Sequence, residues 1–230
     1  GASNVAMGQQ ALTTNTTGSN NTAIGHVALG DNTTASNNTA VGYLALNANT
    51  TGPNNVAVGK GAGDALTTGG YNVAIGTDAL STATTTTANV AVGERALEDC
   101  TGEQNTALGA HTLRDNTSGN ANVAVGYFAL GVNTTGDRNT AVGYGALDAL
   151  TTPNYNVGVG YIALGATTTG ANNTALGSFA MQSNTTASNN TALGYASLTL
   201  NTTGTNNVAV GHDALNVSTT ASNNTAVGYA

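Results

Sequence analysis

Asn139-Thr140-Ala141-Val142-Gly143-Tyr144-Gly145-Ala146-Leu147 is a phrase that the chain repeats from one end to the other. Its glycine recurs at Gly8, Gly25, Gly42, Gly59, Gly76, Gly93, Gly109, Gly126, Gly143, Gly160, Gly177, Gly194, Gly211 and Gly228. The step is 17 residues throughout, apart from one step of 16 between Gly93 and Gly109. A strict short period marks a chain that winds into stacked coils, and it outranks local propensity as a guide to fold. A 17-residue coil buries little by itself, so neighbouring coils must stack and pair their backbones. The Thr, Gly and Asn content opposes any helix of useful length. The expected fold is all-β, a parallel β-solenoid of about thirteen coils. At roughly 4.8 Å per coil it would be on the order of 60 Å long.

Counted from each motif glycine, the residue four before it is Asn in all fourteen copies, Asn21, Asn38, Asn55, Asn139 and Asn190 among them. Stacked coils bring identical amides within hydrogen-bonding reach, which predicts a structural ladder at a buried corner. The next column is divided evenly between Val and Thr, seven copies each, and both are β-branched residues suited to a strand. Ala follows in thirteen copies, then a larger apolar residue in every copy. Period-two alternation puts these last two on opposite faces. The larger residue is assigned to the coil interior, and the Ala to a face that another surface can approach closely. An Ala-Leu pair after the glycine supplies a second apolar wall.

Eight residues after the glycine, Thr fills all thirteen available copies, including Thr33, Thr50, Thr134 and Thr202, and a second Thr follows in eleven of them. The first column is read as another structural ladder. The link onward to the next invariant Asn is rich in turn-forming residues and holds both prolines, Pro53 and Pro153. The short step loses its residue in this link, where a corner absorbs a deletion that would flip every side chain of a strand.

Residues 1–230 therefore read as one continuous repeat region. Neither end carries a divergent polar cap, which suggests a segment of a longer protein whose caps, anchor and export signal lie elsewhere. The four basic residues, Lys60, Arg95, Arg114 and Arg138, are scattered, so no electrostatic footprint for nucleic acid is present. No apolar run is long enough for a membrane-spanning helix. The single Cys100 offers no disulfide framework. His26, His111 and His212 lack companions at metal-ligand spacing and read as surface substitutions. No metal, cofactor or catalytic constellation is expected. Glu94, Arg95, Glu98, Asp99 and Glu103 concentrate charge in the short coil, where a solvated irregular coil outweighs a carboxylate pair for cleaving polysaccharide.

The phrase at 139–143 and its relatives resemble the Asn-Ser-Val-Ala-Ile-Gly repeats in the heads of YadA-type trimeric autotransporter adhesins, and related repeat regions of phage tail fibres. The resemblance covers the whole chain. It implies three chains around one axis, an extracellular, cell-surface or virion location, and a role in attachment to a surface glycan or host receptor. Those heads repeat near 14 residues, so the coil here is larger. Six tyrosines directly after the motif glycine, Tyr43, Tyr127, Tyr144, Tyr161, Tyr195 and Tyr229, are the binding candidates, weighed against plain stacking between coils. The expected unit is a homotrimer whose Ala-bearing faces meet. An alternative from another class is ice binding by the Thr columns, and a further one is a tailspike-like polysaccharide-processing fibre.

Overall fold

The computed structural model describes residues 1–229. The chain divides into two compact units, Gly1–Ser118 and Gly119–Ala230. Each is a parallel β-solenoid, and no helix occurs among the described residues. The first unit contains β1 (Val5–Met7), β2 (Thr22–Ile24), β3 (Thr39–Val41), β4 (Val56–Val58), β5 (Val73–Ile75), β6 (Val90–Val92) and β7 (Thr106–Leu108). The second contains β8 (Val123–Val125), β9 (Thr140–Val142), β10 (Val157–Val159), β11 (Thr174–Leu176), β12 (Thr191–Leu193), β13 (Val208–Val210) and β14 (Thr225–Val227). Within a unit each strand pairs in parallel with its neighbours in sequence, repeat position against repeat position.

The register survives the short step. Val90, Ala91 and Val92 oppose Thr106, Ala107 and Leu108, as they would across a full coil. The amide of Asn89 reaches the Gly102 carbonyl, 13 residues on, where full coils span 14. The residue lost is the second Thr of the link, a position that is solvent-exposed in the other coils of this unit, so neither strand nor core is disturbed.

The strand orientation is the reverse of the sequence expectation. Ala23, Ala40, Ala57, Ala91 and Ala107 in the first unit, and Ala124, Ala141, Ala175, Ala192 and Ala209 in the second, are completely buried. The larger residue after each Ala points outward, with Leu108 48% and Leu193 44% exposed. The reason is the width of the coil. The Leu four after each glycine, such as Leu29, Leu46, Leu130 and Leu147, is fully buried and already fills the space opposite the strand. At Gly158, which stands where other coils have Ala, a Cβ would lie 3.1 Å from Leu147 Cγ, so the interior accepts a methyl group and little more. Parity then forces the β-branched and larger apolar residues on either side of the Ala to the outer face.

The segment after the glycine is a run of turns, and its backbone is unusual. The second and fourth residues after the motif glycine take positive φ in every repeat that contains them, including Val27 (59°), Leu29 (49°), Phe128 (59°) and Ile162 (53°). L-residues pay roughly 1–2 kcal/mol each for this conformation. Hydrogen bonds offset the cost: Val27 N–H donates to the Gln9 carbonyl of the preceding coil at 2.9 Å, and Leu29 N–H to the Ala45 carbonyl of the following coil at 3.0 Å. The alternating conformation sends every other N–H group to opposite neighbours, with Ala28 N–H between them donating to the Gly25 carbonyl of its own coil, so a non-strand segment is still paired along the stack.

Candidate functional site

Two columns hold each stack together, and the tyrosine column and the outer face of the sheet meet solvent. The invariant Asn column lies inside the corner. In the first unit the Asn21 Oδ1 accepts the backbone N–H of Asn38 at 3.0 Å, and Asn38 Oδ1 accepts that of Asn55 at 2.8 Å. In the second, Asn139 Oδ1 accepts the Asn156 N–H at 2.9 Å and Asn190 Oδ1 that of Asn207 at 2.9 Å. Each amide also donates through Nδ2 to a carbonyl of the next coil, as Asn38 does to Gly52 at 3.0 Å. The predicted ladder is present, and its main rungs run from side chain to backbone. Amide-to-amide rungs, such as Asn72 Nδ2 to Asn55 Oδ1 at 3.2 Å, are secondary. From Asn21 to Asn207 these residues are 0–1% exposed and have no surface to offer a ligand.

The first Thr of each pair forms the second ladder. Thr33 donates its hydroxyl to the Thr50 carbonyl at 3.0 Å and Thr50 to Thr67 at 3.1 Å. Thr134 donates to Thr151 at 3.0 Å and Thr202 to Thr219 at 3.1 Å. The second Thr of each pair, among them Thr34, Thr51, Thr135 and Thr186, stands exposed beside it.

A further buried column was not picked out in the sequence. Seven residues after the glycine it holds Asn32 and Asn49, then Leu66, Ala83 and Cys100. Burial among its neighbours pushes the Cys100 thiol above its usual value, against the opposing hydrogen bond from Asn116. A cysteine here is one of several residues of suitable volume.

The tyrosine column sits on the surface and stacks on itself. Tyr127, Tyr144 and Tyr161 lie with ring centroids 5.6 and 5.4 Å apart and planes within 19° of parallel. The next coil has Ser178 at this position, and Phe179 fills the gap edge-on to Tyr161 and Tyr195 at 5.3 and 5.7 Å. His212 then stacks between Tyr195 and Tyr229 at 5.0 and 5.3 Å. In the first unit His26 stacks on Tyr43 at 5.5 Å. Two of the three histidines are thus members of the aromatic column, with His212 Nδ1 also 2.9 Å from Asp213 Oδ2. Tyr144 has both ring faces covered and shows solvent its edge and phenol hydroxyl. A sugar ring cannot stack on a covered face, so contact with a partner here would run through hydroxyls and ring edges.

The outer face of the sheet is the second exposed surface, and the sequence expectation had it facing inward. Each unit presents two parallel columns, Val or Thr at one end of each strand and Val, Ile or Leu at the other. Val58, Ile75 and Leu108 are 36–48% exposed in the first unit, and Leu176 and Leu193 are 37–44% exposed in the second. Strand alternation puts one set of residues outside, and the space inside the closed coil decides which set it is.

In the short coil Glu94, Asp99 and Glu103 are exposed, and Arg95 Nε lies 3.7 Å from Glu98 Oε1. Elsewhere, burial raises the Asp64 carboxyl above its usual value of 3.8, its own backbone amide opposes this, and the nearby Asp78 charge adds to it. Its Oδ1 is buried with no hydrogen-bond partner. A raised folded-state value means that the fold favours the neutral acid, so this contribution to stability is complete below the unfolded value and is lost as pH rises through the folded one. Asp64→Asn is therefore expected to raise the urea midpoint at pH 7 and to make no difference near pH 3. Comparisons of the chain with family models, curated proteins and solved structures found no match.

Proposed function

We propose that this chain is a structural and adhesive fibre segment, non-enzymatic, that assembles as a homotrimer through the outer faces of its sheets and projects a binding region from a cell surface or virion. The observation that carries the reading is the outward apolar face, repeated coil after coil in both units. Fully burying a Val or Leu side chain contributes about 1.5–3 kcal/mol, so a residue 37–48% exposed still has on the order of 1 kcal/mol to gain. An identical repeating stripe on every copy suits cyclic self-association, because each chain meets the same surface it presents. Three copies rather than two follows from the resemblance to the adhesin heads. This replaces the Ala-to-Ala contact expected from sequence, since those methyl groups are spent inside the coil.

Attachment is the part that rests on resemblance alone, because folds host many functions. Glycan-array and cell-binding assays of the assembled chain address it. Binding to a defined glycan or receptor supports adhesion, and no binding to any surface reduces the role to a spacer.

Ice binding remains a second reading because the second Thr column is exposed in regular order. The first Thr column contributes less, its hydroxyl hydrogens being donated to backbone carbonyls. Absence of thermal hysteresis and of recrystallisation inhibition would remove this reading.

A further inference from the structure

Asn-X-Ser/Thr, with X other than Pro, is the acceptor signal for N-linked glycosylation. Its Ser form occurs at Asn116-Thr117-Ser118 and Asn216-Val217-Ser218, and its Thr form in two repeating series. One is Asn-Thr-Thr, beginning at the Asn seven after the motif glycine: Asn15, Asn32, Asn49, Asn133, Asn184 and Asn201. The other is Asn-Asn-Thr, beginning at the Asn five before it: Asn20, Asn37, Asn172, Asn189 and Asn223. The fold treats them oppositely. Five of the six Asn-Thr-Thr amides have no exposed surface, Asn15 in the first coil being half-buried, and Asn49 and Asn201 donate to the carbonyls of Gly52 and Gly204. The five of the other series are all exposed. They stand on a projecting corner with φ between 58° and 63°, directly before the buried Asn ladder. The threonine of each of these triplets opens a strand on the outer face, half-buried or exposed. The amide-to-amide contact from Asn20 Nδ2 to Asn37 Oδ1, at 3.3 Å, is long and exposed to solvent.

We propose that this corner column is a site of N-linked glycosylation, with Asn20, Asn37, Asn172, Asn189 and Asn223 as acceptors, and that the buried members of the Asn-Thr-Thr series are silent in the folded chain. The donor is a nucleotide-activated hexose. The carboxamide nitrogen forms a bond to the anomeric carbon, the bond from that carbon to the nucleotide phosphate breaks with its electron pair leaving on phosphate, and the amide proton passes to the transferase base. The repeat contains its own control. Asn206 is an exposed corner Asn of the same kind, but its triplet ends in Val208, so it lacks the hydroxyl that the signal requires.

The test treats the purified folded chain with UDP-glucose and a soluble N-glycosyltransferase that reads Asn-X-Ser/Thr, followed by peptide mass spectrometry. Hexose is expected on the five corner residues and absent from Asn32, Asn49, Asn133, Asn184, Asn201 and Asn206. Peptides from the digested chain, treated in the same way, should accept hexose in both series. Thr39→Val is harmless to the fold because Val occupies this position in half of the repeats, and it should abolish modification at Asn37. Val208→Thr should create a new site at Asn206. Equal labelling of both series in the folded chain overturns the proposal, as does an unlabelled corner series when its peptides are labelled.

Discussion

Ala141→Arg is expected to unfold the coils around β9 rather than to loosen an assembly. The Ala141 methyl group lies inside the coil with no exposure, and it sits in register with Ala124 and Gly158 on the adjoining strands. A guanidinium placed there has no water and no partner, and an unpaired buried charge costs several kcal/mol at the least. Small domains have only about 5–15 kcal/mol of net stability, so loss of cooperative structure in the second unit should follow. Circular dichroism and limited proteolysis would show it. Val142→Arg, one residue on, changes a side chain on the outer face and should leave the fold of the isolated chain intact. A folded Ala141→Arg variant would return the Ala to the outside and contradict the orientation described above.

Gly143→Ala is expected to cost about 3 kcal/mol or more, although it adds a single methyl group. The residue has φ of 130°, a region open to glycine almost alone, and the added Cβ would lie 2.4 Å from the Gly160 carbonyl oxygen of the next coil. That neighbour is backbone in a hydrogen-bonded stack, with Gly160 N–H donating to the Val142 carbonyl at 2.8 Å, so it cannot turn aside as a side chain would. Urea denaturation measures the loss. The natural variation of neighbouring columns gives a comparison: the position two later is Gly145 in this coil but Ile162 in the next, and both take positive φ. A φ near 55° therefore does not demand glycine, whereas φ of 130° with a backbone carbonyl in close approach does.

These two positions also show where sequence and structure part. The period, the Asn and Thr ladders, the Leu wall and the tolerance of a short link were all legible, because each follows from what stacking does to a repeated residue. The orientation of the strand was not. Alternation says that Ala141 and Val142 face opposite ways, but the choice between them depends on the space left by Leu147, which only the closed coil defines. The positive φ of Leu29, Phe128 and Ile162 was hidden for a related reason. Nothing in those side chains favours it, and it is imposed by N–H groups that must reach alternate neighbours. The aromatic column was partly legible. Tyr127, Tyr144 and Tyr161 announce a stack through their spacing, whereas the parts played by Phe179 and His212 depend on contacts between coils.

The central claim is that the outer faces of the sheets, with Val and Thr at one edge and Val, Ile or Leu at the other, are where copies of this chain meet. It is tested most directly by the mass of the chain in solution, measured by light scattering before and after Val125→Arg, Val142→Arg and Val159→Arg are introduced together. The proposal predicts a trimer that becomes a folded monomer, with the circular dichroism of each copy unchanged. An unmutated chain that stays monomeric at tens of micromolar, or a trimer that survives three arginines on this face, would contradict it.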